Sequence, residues 1–334
     1  MHQHMRTIRF ILLPMLLCLL VACGSKSSNT QGANAPNNGT NESQQQPRFA
    51  VFSPAIGVML RDLGFEDDIV GRHSYDTALS SSIPVVGSHI EIDDEILIQV
   101  EPTILIFENN SIEIPERIST LADERGWVIW TYTLKSLDDI AVTLDDLYLK
   151  LVGFPTDANS DDDPMTFEVN PTKRFEIDLP SAGLARAWSP MGRDASIAGR
   201  TLLLAGTDPA GALGPGSFHA QLIGRMGIES VLDTGGMWQE LDLEDIVGLA
   251  PDSILIFDPR DDDTMGIGEP EPMSWSEIEL ALGPIATLPI PAVESQRVGV
   301  ITHRQGLLPS STLAQVADEI RKTLASWRER ADEP

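Results

Sequence analysis

The sequence predicts an α/β protein whose folded part consists of two lobes of like topology. Short apolar runs alternate with helical runs, one segment of the first half recurs in the second, and the chain of 334 residues is long enough for two domains. We divide it into a signal peptide (1–22), a tether (23–47), an N-terminal α/β lobe (48–133), a connector (134–199) and a C-terminal α/β lobe (200–334).

The first 22 residues resemble a bacterial lipoprotein signal peptide. Arg6 and Arg9 precede an apolar run, and Leu20-Val21-Ala22-Cys23-Gly24 has the pattern of a lipobox. The apolar run is shorter than the roughly 20 residues that cross a bilayer, and an ordinary secretory signal needs no cysteine at this point. We therefore predict lipid on Cys23 and an extracytoplasmic protein anchored to a membrane, in the periplasm or at the cell surface.

Residues 24–47 form a polar segment with only two charged residues, Lys26 and Glu42, and no aromatic residue. Such a segment buries too little apolar surface to offset the entropy cost of folding. As a flexible coil it would span roughly 27 Å, which is typical of a tether.

Composition excludes some classes of partner. Removing residues 1–22 changes the formal charge from -27 to -29, which disfavours nucleic acid and anionic membrane surfaces. The two cysteines are Cys18, which leaves with the signal, and Cys23, so the folded part can have no disulfide.

The strand candidates are short and apolar, and helix signals separate several of them. Ser53-Pro54 is typical of a helix start and Gly64 of a helix end. The predicted strands are 48–52, 69–71, 85–86, 104–107 and 127–130 in the first half and 201–205, 253–257 and 298–301 in the second, with a last helix over 311–328.

A repeat relates the two halves. In Ile92–Glu108 and in Leu241–Asp258, a glutamate stands seven residues before a proline, and Ile-Leu-Ile-Phe and an acid follow. A shared helix–loop–strand pattern explains the apolar positions but not the same glutamate spacing, so we infer two lobes of like topology.

Within the connector, 136–152 has helical periodicity with Ser136 as N-cap, whereas 157–164 is typical of an exposed acidic turn and lacks the EF-hand pattern.

These motifs together resemble the substrate-binding proteins of ABC importers for vitamin B12, iron–siderophores and haem. The resemblance covers nearly all of residues 48–327. It depends on RFAVFSPAIGVMLRDLGFEDDIVGRHSYD, on IPVVGS, on the two glutamate-to-proline segments and on LLLAGTDPAGALGPGSFHAQLIGRMG. It implies two doubly wound lobes with a ligand cleft between them, joined by one long helix. The prolines between Pro155 and Pro190 do not permit an uninterrupted helix, so we expect a partly helical connector.

Ligands of open α/β sheets bind beyond the carboxyl ends of the strands, and this rule selects candidate residues. The expected ligand-binding residues are Ser53, Pro54, His73, Tyr75, Ser88, Asn109, Tyr132, Ser217, Phe218, Trp238, Asp258 and Arg304. The resemblance implies that Tyr75 and Trp238 lie in loops where aromatic rings stack on flat ligands, although a half-buried packing tryptophan is the alternative for Trp238.

Other chemistries have weaker signals. Gly214-Pro215-Gly216-Ser217 lacks the lysine of a phosphate-binding loop, so it predicts a turn into a helix capped by Ser217. His73, His89 and His303 fall in strand-end loops and leave a zinc or manganese site, or axial contact to haem iron, as alternatives. No nucleophile–base pair is evident, so we predict no catalytic residue and no resident cofactor.

The resemblance also implies that Glu95 and Glu244 dock with arginines of a membrane permease, whereas a solvated helix glutamate is the alternative. We thus expect a lipid-anchored, monomeric receptor that delivers an iron complex or cobalamin to an ABC permease. A metal-ion receptor, a sensor and an anchored enzyme of the same two-lobed fold are the competing functions.

Overall fold

A computed structural model describes residues 46–88, 90–109, 113–152, 179–260 and 273–332. The lipobox, the tether up to residue 45, His89 and the acidic turn at 157–164 lie outside these ranges. No helix among the described residues has the length and apolar character needed to cross a membrane.

The first sheet is parallel throughout, with the strand order β3-β2-β1-β4-β5. Because the chain starts in the middle and extends outward in both directions, this half is doubly wound, as predicted. Its strands are β1 (Phe49–Val51), β2 (Ile69–His73), β3 (Val85–Gly87), β4 (Ile104–Glu108) and β5 (Val128–Tyr132), and its helices are α1 (Pro54–Asp62), α2 (Asp94–Gln99) and α3 (Glu116–Arg125).

The predicted start of α1 is confirmed. The hydroxyl of Ser53 accepts a hydrogen bond from the N–H of Ile56, and Pro54 occupies the first helical position. Gly64 follows the helix with a φ of 87°, a conformation that glycine adopts without strain.

Along the chain, three helices of the described residues follow the first sheet and precede the second: α4 (Leu137–Leu151), α5 (Pro180–Ala187) and α6 (Arg193–Ser196). Ser136 and Asp139 form a capping box at the start of α4, as the periodicity and Ser136 predicted. Pro180 stands at the first turn of α5, where the missing N–H costs nothing.

The second sheet is mixed rather than parallel throughout. Its order is β11-β10-β6-β7-β9, with β8 also beside β6, and β7 runs antiparallel to both neighbours. The strands are β6 (Arg200–Thr207), β7 (Ala210–Leu213), β8 (Glu229–Ser230), β9 (Trp238–Leu241), β10 (Ser253–Phe257) and β11 (Val298–Ile301). The helices are α7 (Phe218–Arg225), α8 (Leu243–Leu249), α9 (Trp275–Leu282), α10 (Pro291–Glu294) and α11 (Leu313–Asp332).

The sequence repeat has a structural counterpart. Asp93 caps α2 and Asp242 caps α8, and each helix carries its repeated glutamate, Glu95 or Glu244, at the second position. In both copies the residue before the proline has a φ of 44°, and the Ile-Leu-Ile-Phe run forms a strand, β4 or β10.

Contacts between the halves join them into one body. A single apolar core includes Phe49 of β1 and Trp327 of α11, with residues from both sheets between them. The hydroxyl of Ser311 donates to Asp62 at 2.6 Å, and Arg225 of α7 pairs with Asp138 of α4 at 2.6 Å.

Candidate functional site

The carboxyl edge of the first sheet gathers several predicted residues. The buried hydroxyl of Ser53 donates to the carboxylate of Glu108 at 2.7 Å, which links the ends of β1 and β4. The N–H of Asn109 donates to the carbonyl of Tyr132 at 2.6 Å, so the ends of β4 and β5 are also joined. Pro54 and Ser88 are half-buried beside this edge.

The loop after β2 presents an aromatic ring to solvent. Tyr75 is 79% exposed, whereas His73 and Asp76 are 6% and 4% exposed. Nδ1 of His73 accepts the N–H of Tyr75 at 3.0 Å, and the two ring centres are 5.6 Å apart. The loop therefore holds its histidine inward while Tyr75 stays accessible.

Tyr132 is engaged with the connector. Its hydroxyl donates to Asp146 at 2.7 Å and accepts from Lys150 at 3.2 Å, and the residue is 9% exposed. Burial, the hydrogen bond to Asp146 and the charge of Asp146 all raise the pKa of Tyr132. A ligand contact of Tyr132 would have to compete with this network, and the ligand role stays a prediction.

Trp238 lies on a strand rather than in the loop that the sequence suggested. It begins β9, opposite Leu213 of β7, and its ring covers Gly211, where a Cβ would come within 2.1 Å of the indole. An aromatic ring over a strand glycine replaces the missing side-chain packing. Trp238 is nevertheless 55% exposed, so one face of the indole remains open to a ligand.

The start of α7 lies against the end of β10. Ser217 accepts the N–H of Ala220 and donates to the carbonyl of Gly214 at 2.8 Å, which confirms the predicted capped turn. Phe218 is 7% exposed. The rings of His219 and Phe257 meet edge to face, with 4.6 Å between ring centres.

His219 is buried, and only one of its two ring nitrogens has a hydrogen-bond partner. Nε2 contacts the carbonyl of Gly306 at 2.8 Å, whereas Nδ1 has no hydrogen-bond partner. Burial lowers the pKa of His219 to about 4, against a raising effect of the bond to Gly306. The imidazole is therefore neutral in the folded protein across the physiological pH range.

This burial predicts acid sensitivity. A base with a lowered folded-state pKa gives stability that is complete above its unfolded value, near 6.5, and is lost as the pH falls toward about 4. The loss should reach about 3 kcal/mol, at roughly 1.4 kcal/mol for each pKa unit. Chemical denaturation at a series of pH values would measure the free energy of unfolding. In His219→Gln this free energy should fall less steeply with acid, because glutamine does not titrate and its amide can still donate to Gly306. An equal dependence of the free energy of unfolding on pH in the wild-type protein and in His219→Gln would contradict this prediction.

The loop after β11 faces the first half of the chain. Arg304 is exposed, and Glu319 of α11 accepts the N–H groups of Thr302 and His303. Burial and the charge of Arg61 lower the pKa of His303, while Asp62 raises it. His303 therefore lies close to the end of α1. Directly after β10, Asp258 is half-buried and pairs with Arg260 at 2.9 Å.

The metal-ion alternative gains no geometric support from the described residues. Among the described residues, no group of three histidine, cysteine, aspartate or glutamate side chains is arranged to hold a metal ion. His73 ends β2 of the first sheet, His303 lies in the loop after β11 of the second, and His89 lies outside the described residues.

Glu95 and Glu244 occupy matching exposed positions. Each is in the first turn of a short helix whose aspartate cap already bonds the backbone. Glu95 borders a shallow depression that also includes Asp94 and Arg117, which form an ion pair. Both carboxylates are thus available to a partner, and the docking role stays a prediction.

Sequence reasoning missed two acidic residues of the site, Asp76 and Glu319. Asp76 had a local signal, because an aspartate in a turn commonly accepts the N–H groups two and three residues later. Glu319 had none, since its bonds to the loop after β11 join residues 16 and 17 positions apart through the packing of α11.

Comparison with solved structures identifies the architecture. The chain is similar to the periplasmic haem-binding protein RhuT from Roseiflexus sp. RS-1, at 16% identity and a TM-score of 0.56, over 85% of this chain and 99% of that one. It is also similar to the periplasmic haem-binding protein HutB of Vibrio cholerae, at 17% identity and a TM-score of 0.58, over 84% and 99%.

A third similar structure is the periplasmic vitamin B12-binding protein BtuF of Vibrio cholerae, at 14% identity and a TM-score of 0.52, over 84% of this chain and 98% of that one. No protein-family model and no curated protein sequence matches the chain. At these identities the likeness concerns the fold, and it extends over nearly the whole length of each protein. The chain therefore has the two-lobed α/β fold of these periplasmic binding proteins.

Proposed function

We propose that this protein is a lipid-anchored receptor that captures a large metal chelate outside the cytoplasm and delivers it to an ABC permease. The observation that carries the proposal is the combination of the two-lobed fold with two accessible rings, Tyr75 in the loop after β2 of the first sheet and Trp238 on β9 of the second. Open aromatic faces suit a broad, partly apolar ligand, since they offer large contact area at a low entropy cost.

The charge of the site narrows the ligand class. Arg304 is exposed in the loop after β11 and Arg72 is half-buried on β2, while Glu108 is half-buried at the end of β4 and Asp258 is half-buried directly after β10. Arg72 is also committed to the backbone, because its guanidinium donates to the carbonyls of Ile83 and Asp76. A tris-catecholate siderophore would require more arginine than this. We therefore favour haem, a corrinoid or a weakly charged siderophore.

The solved relatives support a binding role, since those described above are named for the haem or vitamin B12 that they bind. Mass spectrometry of ligand retained by the purified protein would test the proposal most directly. We expect a haem, corrinoid or iron-chelate mass in the native protein and its loss after denaturation. Tight binding of zinc alone, with no response to any chelate, would contradict the proposal.

The anchor has its own test. Cys23→Ser should remove the membrane affinity that acyl chains supply, so the protein should be found uncleaved or soluble. Fractionation followed by detection of the cleaved form would measure this, with Cys18→Ser as the matched control because that cysteine precedes the cleavage site. A cleaved Cys23→Ser protein that still sediments with membranes would disprove lipidation at this residue.

A further inference from the structure

The loop that carries Tyr75 is fixed by the buried acid that follows it. Oδ1 of Asp76 accepts the N–H groups of Ala78 at 2.8 Å and Leu79 at 3.0 Å. The carbonyl of Asp76 accepts the guanidinium of Arg72 at 2.8 Å. Both the side chain and the backbone of Asp76 therefore hold the turn, one residue beyond the exposed tyrosine.

The second carboxylate oxygen of Asp76 lies close to Gly57, where any larger residue would place a side chain. Oδ2 of Asp76 has no hydrogen-bond partner, and a Cβ on Gly57 of α1 would lie 2.8 Å from it. Burial raises the pKa of Asp76, against the two backbone N–H groups and the charges of Arg72 and Arg61. The ionised acid is thus less favoured over its protonated form in the folded protein than in the unfolded chain.

We infer that Asp76 is a positioning residue, which holds the loop after β2 against α1 so that the ring of Tyr75 projects into the ligand site. The part of this inference that concerns ligand affinity rests on the proposed function. Loss of the carboxylate would leave the N–H groups of Ala78 and Leu79 without their acceptor. Leu79, which is 6% exposed, would lose its fixed place in the core, and Tyr75 would sample more orientations.

The consequence for binding is entropic. A side chain that is already held in its bound orientation loses less freedom when a ligand arrives, so it binds more tightly with the same contacts. On its other side, Tyr75 is restrained by the bond from its N–H to His73. His73 and Asp76 therefore fix the backbone on both sides of Tyr75.

A measurement without ligand tests the positioning. In a full-length background with Cys18→Ser and Cys23→Ser, Tyr75→Cys would be the sole thiol for a spin label. We expect greater label mobility on adding Asp76→Ala, and recovery with Asp76→Asn, whose amide oxygen can accept the same two N–H groups. Gly57→Ala should also raise the mobility by displacing the carboxylate.

A label at Ile90→Cys, a position that is 77% exposed in another loop, should not respond to these substitutions. Unchanged mobility at position 75 in Asp76→Ala would overturn the inference. An equal rise at position 90 would also overturn it, because it would indicate general loosening of the fold.

A double-mutant cycle tests the effect on affinity, with haem and cyanocobalamin as the probes. Asp76→Ala should weaken binding about five- to tenfold in the presence of Tyr75 and have no further effect in Tyr75→Ala. An equal loss in both backgrounds would show a role independent of Tyr75 and overturn the inference. If Tyr75→Ala alone leaves the affinity unchanged, the proposed ligand contact fails, and the label mobility still decides the positioning.

Discussion

Replacing Trp238 by alanine is expected to weaken chelate binding about 30-fold, the largest effect of any single substitution in the site. Exposed tryptophans that become buried on binding commonly contribute about 2 kcal/mol or more, and each 1.4 kcal/mol is a factor of ten. The indole also covers Gly211, so the substitution removes a stacking surface for the ligand and exposes the backbone of β7 at Gly211. Isothermal titration calorimetry with haem, cyanocobalamin and a ferric hydroxamate would measure the change.

Two variants sharpen this prediction. Gly211→Ala should displace the indole, because its Cβ would lie 2.1 Å from the ring, and it should therefore weaken binding while the tryptophan is retained. Trp127→Ala is the matched control, since Trp127 precedes β5 at its amino end and so lies away from the strand ends that form the site. Unchanged affinity in Trp238→Ala, with the fold intact by circular dichroism, would assign Trp238 to packing alone.

Substitution of both Glu95 and Glu244 by alanine is expected to reduce ligand uptake by cells about tenfold or more while ligand affinity stays constant. Each carboxylate is exposed at the start of its helix, so its loss should change stability by less than about 0.5 kcal/mol. Complementary charge pairs set the encounter rate and register of two proteins. Removal of one carboxylate should therefore reduce ligand uptake a few-fold, and removal of both should reduce it further.

Glu124→Ala and Glu229→Ala are suitable controls, because both glutamates are exposed on the same two halves but outside the repeat. Uptake of labelled ligand and affinity of the purified variants should be measured side by side. Weaker ligand binding in either Glu95→Ala or Glu244→Ala would place that carboxylate in the ligand site and contradict docking. Equal uptake losses in the control variants would indicate a general effect of surface charge.

Much of the fold was predictable because its signals are local. Ser53-Pro54 and Gly64 mark the ends of α1 through hydrogen-bonding and backbone preferences that act within a few residues. The repeat predicted two matching helix–strand units, and its repeated glutamates lie at equivalent positions on α2 and α8. The residues before the two prolines share a φ of 44°, a detail of geometry that periodicity does not reveal.

The antiparallel part of the second sheet was not predictable in the same way. β7 and β9 have four residues each, and the sequence of β7 is Ala-Gly-Ala-Leu, which has little strand propensity. These strands are stable because β7 pairs with β6, because β9 pairs with β7, and because the Trp238 ring covers Gly211. Both effects depend on tertiary contacts, so the sequence suggested a loop at Trp238.

By itself, the sequence determined the strands of the first sheet, strands β6, β10 and β11 of the second, the two-lobed α/β class and the strand ends at which a ligand site could form, because these follow from periodicity and capping. Only the tertiary structure decided which side chains remain accessible there. Tyr75 projects into solvent while His73 turns inward, Tyr132 is bonded to Asp146, and His219 is enclosed by aromatic rings. Exposure and hydrogen-bond partners depend on residues far apart in the chain, and packing alone brings those residues together.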